Sequence, residues 1–194
     1  MMIVNKKILY IGNNLSKRTN YATSMDVLSF FLEKENYKIY KSSSYRNKIL
    51  RLFDMCFSII KLRNQINYIL IDTFSTSNFY YAFITSQIAR FFKIKYIFIL
   101  RGGNLPSRLD KSKTISRLMF KNSYKNVAPS NYLKTEFINR NYSSVFIPNI
   151  LNISNYFFKK RENISPRVLW VRAFKYLYNP QMAIEVLSIL KENF

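Results

Sequence analysis

The chain has 194 residues, 48% of them hydrophobic and 17% aromatic, which is enough to bury a core and too apolar for a disordered polymer. Its 31 Lys and Arg against 10 Asp and Glu leave a net charge of +21, a field that attracts polyanions such as phosphorylated ligands, an anionic membrane surface or nucleic acid. A single cysteine, Cys56, and the absence of histidine exclude an internal disulfide, cysteine or histidine metal sites and any histidine-based triad.

In chain order, residues 7–11 form a short apolar run that ends at Gly12 and predicts a strand. A polar loop follows to Asn20. Residues 22–34 carry Met25, Leu28, Phe31 and Leu32 at helical spacing, and 37–41 predict a second strand. Residues 47–63 predict a strongly apolar helix and 68–71 a third strand closing on Asp72. Residues 78–92 predict an aromatic-rich helix. Residues 95–100 predict a fourth strand running into Arg101-Gly102-Gly103. A helix over 112–122, a strand over 126–128, a helix from Ser130 to about Asn139 and a strand over 144–147 complete the series. Strand and helix alternating at this spacing predict a doubly wound, Rossmann-like α/β fold with a parallel sheet.

Ligands of such sheets sit beyond the carboxyl ends of the strands. That singles out residues 12–20, 72–77, 101–108 and 129–132, which otherwise serve as plain connections. No run of apolar residues is long enough for a membrane span, and the Lys6-Lys7 start with its short apolar run predicts no secretion signal, so a cytoplasmic location is expected, with peripheral association at the anionic inner face of the membrane.

The predicted organisation is a first domain over 1–150, a polar linker over 151–166 and the start of a second α/β unit over 167–194. The second part opens with a predicted strand at 168–171, ending at Arg172, and a helix begun by Pro180. One strand and one helix cannot bury their own apolar faces, so this second unit reads as incomplete.

Among local motifs, Arg101-Gly102-Gly103-Asn104-Leu105-Pro106 holds two of the three glycines in the chain. Paired glycines let backbone N–H groups approach a ligand, and the arginine matches phosphate or carboxylate; a tight turn with a solvated arginine is the alternative. Gly12-Asn13-Asn14 follows the first strand without a dinucleotide or P-loop fingerprint, and its amides suit sugar hydroxyls. The helix over 47–63 has one narrow polar stripe, Arg51, Asp54, Ser58 and Lys61, and basic ends at Arg46, Lys48 and Arg63. It fits either an interfacial helix on an anionic bilayer or a helix wedged between the sheet and its neighbours. Asp72 and Glu136 are candidate acid/base groups, though no carboxylate pair has a suggestive spacing; Asp72 at a strand end alternatively caps the next helix or satisfies backbone donors, and Glu185 and Glu192 enclose six residues. No metal ligand set is expected.

Five features recur in one order: the strand to Gly12, the Arg101-Gly-Gly loop after the fourth strand, Ala128-Pro129-Ser130-Asn131-Tyr132 before a helix, Ile147-Pro148-Asn149, and Leu169-Trp-Val-Arg172. Together they resemble the family 4 glycosyltransferases of the GT-B fold, over the first, acceptor-side domain and the opening of the second, donor-side domain. The resemblance implies a retaining transfer of sugar from a nucleotide-diphosphate sugar to an acceptor, in cell-surface polysaccharide or glycolipid synthesis, with neither cofactor nor metal. A positive clamp on the diphosphate would stabilise the leaving group.

By position, the resemblance places Gly12, Asn13, Asn14, Arg101, Gly102, Gly103, Asn104 and Ser130 on loops facing the cleft. Arg101 stands where the family often has a histidine. Arg172 matches the arginine that helps hold the donor diphosphate. The family's nearby Lys-Gly is replaced by Tyr178-Asn179-Pro180, with Lys175 the candidate substitute. The donor-contacting glutamates spaced Glu-x7-Glu would fall beyond Phe194, so this chain alone is expected to bind sugar nucleotides weakly and to transfer no sugar. No catalytic residue is assigned. The competing expectation is a non-enzymatic basic module on an anionic membrane or nucleic acid. Nucleic acid is the weaker partner, because the aromatics sit inside apolar helices and strands rather than among exposed cations.

Overall fold

The structure is a computed structural model, and it describes residues 6–12, 23–42, 45–153, 156–160 and 168–193. The chain divides into two compact units, 1–153 and 154–194.

The first unit is built on six strands, β1 (Lys7–Ile11), β2 (Lys38–Ser42), β3 (Tyr68–Thr73), β4 (Lys95–Leu100), β5 (Lys125–Ala128) and β6 (Val145–Phe146). They form one all-parallel sheet in the order β2-β1-β3-β4-β5-β6. This is the Rossmann-like doubly wound architecture that the alternating pattern predicts. Between the strands run α1 (Ser24–Lys34), α2 (Lys48–Leu62), α3 (Asn78–Phe91), α4 (Leu105–Lys111), α5 (Lys113–Phe120) and α6 (Asn131–Ile138). Helix α4 occupies residues that the sequence reading leaves in a loop. Pro106 suits a first helical turn, and Leu105 and Leu109, one turn apart, are both buried.

Strand alternation splits the core in two. Ile8, Tyr10, Leu70 and Ile99 face α1 and pack with Met25, Leu28 and Leu32. Leu9, Ile11, Ile69, Ile71, Phe98 and Leu100 face the other way, toward side chains of α2 to α6. Phe120 is the hub of that larger core, its ring 4.9 Å from Phe137 and 5.0 Å from Phe98, edge to face. On α3 the small residues Ala82, Ser86 and Ala89 are fully buried, so this helix lies close to the sheet.

With three glycines in the chain, most helix ends must turn on other residues. Asn36, Lys93 and Asn141 take φ of 63°, 56° and 61° just beyond α1, α3 and α6. In each case the next N–H reaches back to a helical carbonyl: Tyr37 to Leu32, Ile94 to Ala89 and Tyr142 to Phe137. This is the Schellman closure, with an apolar residue following the left-handed one. Asparagine tolerates that conformation, whereas Lys93 adopts it at a cost of about 1–2 kcal/mol.

Helix α2 touches the core through a thin inner strip of Arg51, Met55 and Ile59. Its remaining apolar residues are half-buried or exposed, so it is not wedged on all sides.

In the second unit, residues 168–175 are irregular, a 3-10 turn spans Tyr176–Tyr178 and α7 spans Pro180–Asn193. The strand predicted at 168–171 is not formed. Its composition is that of a buried strand, but among the described residues no neighbour pairs with it, and a strand exists only through its ladder. The helix opened by Pro180 is present.

Candidate functional site

The chain leaves β1 through α1 toward β2 on one side, then returns through α2 to β3 on the other. The crossovers therefore diverge between β1 and β3, and a ligand crevice in such a sheet lies beyond the carboxyl ends of those two strands. Tyr10, Asp72 and Arg101 stand there. The register pairs Tyr10 with Leu70 and Asp72 with Ile99, which puts all three side chains on the α1 side.

They form one network. The Tyr10 hydroxyl donates to Asp72 Oδ1 at 3.1 Å, and Arg101 Nε donates to the same oxygen at 3.1 Å. A second guanidinium nitrogen reaches the Tyr10 hydroxyl at 3.4 Å, and the third donates to Asn149 Oδ1 at 2.6 Å. The ion pair is largely withdrawn from water, with 12% of the Arg101 side chain and 6% of Asp72 exposed. Arg101 is thus no solvated turn arginine. It ties the end of β4 to β3, to β1 and to the segment after β6. Its own backbone N–H extends the β-ladder to the Thr73 carbonyl at 2.8 Å.

Burial pushes the Asp72 carboxyl above the ordinary carboxylate range, and the neighbouring Arg101 charge and hydrogen bonds from Arg101 and Tyr10 pull it back only in part. Burial, and then the Asp72 charge, push the Tyr10 phenol well up, so it remains a donor. Desolvation opposes the Arg101 charge, but Asp72 outweighs it and the guanidinium stays protonated. The network therefore holds a cation rigidly, with the exposed Asn149 amide beside it. It contains no nucleophile paired with a base.

Gly12 belongs to the same construction. A Cβ there would stand 2.7 Å from Asp72 Oδ2 and 2.9 Å from Met25 Cε, so only glycine lets the β1 end pass beside the buried carboxylate. Gly102 has φ of +85° and needs glycine for its conformation, while Gly103 faces open space. The Gly102 carbonyl accepts from Leu105 N–H at 3.3 Å, turning the loop into α4. Asn104 sits at the amino end of α4 without a side-chain cap bond, and Gly102, Gly103 and Asn104 are all exposed.

Ser130 caps α6, accepting from Leu133 N–H at 3.3 Å. Asn13 and Asn14 lie outside the described residues. Arg172 and Lys175 belong to the second unit, where the Arg172 guanidinium lies 5.6 Å from the Tyr178 ring centre and Lys175 precedes the 3-10 turn.

Beside the network, a cavity of about 470 Å³ lies between α1 and the sheet, lined by Leu28, Leu32, Ile97, Ile99 and Val127, with Arg101 and Asn149 at its polar end. Among the described residues, no group of three or more Cys, Asp or Glu stands ready to hold a metal.

The structure brings Gly12, Arg101 and Asn149 together from three distant parts of the chain. The sequence reading leaves Tyr10 in the core and Asp72 as a candidate acid/base group or cap, with no partner named. The available signal was the parity of the strands: Tyr10 and Asp72 each precede a strand end by one residue on the same sheet face. Compared with protein-family models, curated proteins and solved structures, the chain matches none.

Proposed function

We propose that the first unit is the acceptor-side domain of a glycosyltransferase that moves a sugar from a nucleotide-diphosphate donor to a glycan or lipid-linked acceptor, with retention at the anomeric carbon. The observation that carries this reading is the convergence on Arg101. Gly12 at the end of β1, the Arg101-Gly102-Gly103 loop and the Pro148-Asn149 segment are separate in sequence; the first two resemble cleft-facing segments of family 4 glycosyltransferases and the third resembles their domain crossover, and the three meet through Asp72 and Asn149.

In this reading the acceptor hydroxyl lies at the carboxyl edge of the sheet, oriented by the Asn149 amide and exposed loop backbone. The acceptor oxygen bonds to the anomeric carbon on the face from which the diphosphate departs; the diphosphate leaves with the electron pair of the broken bond and takes up the acceptor hydroxyl proton. Cations must meet that charge. Arg101 is fixed in advance and needs no reorganisation. Asp72 is a positioning residue, because it is nearly buried and its Oδ1 is occupied by Arg101 and Tyr10.

Saccharide-array binding by the full chain tests the proposal, with Asn149→Ala and Arg101→Lys as variants. Binding to a defined saccharide set that falls about tenfold in both, the loss of one charge-assisted hydrogen bond, supports it. Absence of saccharide binding at millimolar concentration, or binding indifferent to both variants, overturns it.

A further inference from the structure

Helix α2 carries an apolar stripe that the fold does not use. Ile49, Phe53, Phe57 and Ile60 follow 4-4-3 spacing along its outer side, and Phe53 and Phe57 are 68% and 63% exposed. A helix needs one buried face, and α2 already has it in Arg51, Met55 and Ile59. Large aromatics in a contiguous exposed row mark an interaction surface rather than scattered surface apolarity.

The charge around the stripe selects the partner. Arg46 and Lys48 stand exposed at its amino end, and Lys61 and Arg63 at its carboxyl end. Arg63 is held there, donating to the Ile60 carbonyl at 2.9 Å with its guanidinium 5.5 Å from the Phe92 ring centre. Between residues 45 and 67 the sole acid is Asp54, and it is half-buried on the flank, accepting from the Ser42 hydroxyl at 2.9 Å. The stripe is thus apolar along its length, cationic at both ends and free of exposed carboxylate, on a chain of net charge +21. This is the composition of a helix lying in the headgroup boundary of an anionic bilayer. A second copy of the chain would bring the same cations against one another.

We infer that the outer face of α2 docks on an anionic lipid bilayer, with Phe53 and Phe57 entering the acyl boundary and Arg46, Lys48, Lys61 and Arg63 meeting the headgroups. The amino end of α2 lies at the carboxyl edge of the sheet, the edge that holds Asp72 and Arg101, so docking brings that edge beside the membrane surface. This inference stands apart from the glycosyl-transfer reading, since neither Phe53 nor Phe57 belongs to the Arg101 network.

The test is co-sedimentation of the full chain with vesicles of phosphatidylcholine alone or mixed with phosphatidylglycerol. The chain should pellet with the anionic vesicles and be released as salt shortens the Debye length from about 10 Å to about 3 Å. The Phe53→Ser, Phe57→Ser double variant should lose at least about tenfold in partitioning at low salt, with an unchanged circular dichroism spectrum, because both side chains are solvent-facing. The Arg46→Glu, Arg63→Glu variant should lose the preference for anionic lipid.

Equal binding to both vesicle types overturns the inference. So does anionic binding that ignores the phenylalanine pair, which would be diffuse attraction by the net charge. Sedimentation equilibrium supplies the remaining outcome: a dimer abolished by the phenylalanine pair, without vesicle binding, assigns the stripe to a second copy and overturns the lipid assignment.

Discussion

Replacing Arg101 by methionine keeps the length of the side chain and removes its charge, leaving Asp72 buried beside Gly12 with the Tyr10 hydroxyl as its one remaining side-chain donor among the described residues. Removing one partner of a buried ion pair costs roughly 3–5 kcal/mol, because the other charge stays desolvated. The surviving Tyr10 bond places the expected loss at the lower end, about 3 kcal/mol, still a large share of the 5–15 kcal/mol typical of a domain. The sign of the pH dependence follows from Asp72, whose folded carboxyl lies above its unfolded value and rises further without Arg101. A carboxyl raised on folding contributes most below its unfolded pKa, and that contribution is lost as pH climbs through the folded one. The Arg101→Met deficit relative to the parent should therefore be largest at neutral pH and shrink in mild acid. Adding Asp72→Asn should recover most of it, since no buried charge remains. Urea unfolding of the full chain measures this, followed by far-ultraviolet circular dichroism because the single tryptophan, Trp170, lies in the second unit. A loss below about 1 kcal/mol, the value of an exposed pair, or a deficit independent of both pH and Asp72, would refute the reasoning.

Gly12→Ala should lower stability by about 1–3 kcal/mol in the same urea titration, since its Cβ overlaps the carboxylate that Arg101 and Tyr10 hold in place. Gly102→Ala should cost about 1–2 kcal/mol through its φ of +85°, whereas Gly103→Ala should change thermal stability little; equal effects would show that the loop is not held as described. Ser130→Ala should cost about 1 kcal/mol by removing the α6 cap while leaving saccharide binding unchanged, and a binding loss at preserved stability would move Ser130 from structure into the site.

The fold was legible because buried parallel strands announce themselves as short unbroken apolar runs, and the runs at 7–11, 68–71 and 95–100 do so plainly. Gly12 and Arg101 were legible as strand-end residues. What joins them was not, because the Tyr10 to Asp72 contact spans 62 residues and depends on strand order and register, which no local pattern encodes. Helix α4 was hidden by a Gly-Gly and a proline that read as a loop although the proline falls in a first turn. The strand expected at 168–171 has the right composition, but a strand is a property of two segments. The two readings of α2 needed tertiary information, since sequence gives the width of an apolar arc and not which part of it faces the sheet.

The most direct test is an amide NMR titration of the isotope-labelled full chain with a saccharide selected on the array. Shifts should concentrate at the carboxyl edge of the sheet, at Gly12, Thr73, Arg101 to Asn104 and Asn149, and should vanish in Asn149→Ala. Shifts confined to α2, to the amino edge of the sheet or to the second unit would contradict the placement of the acceptor site on the Arg101 network.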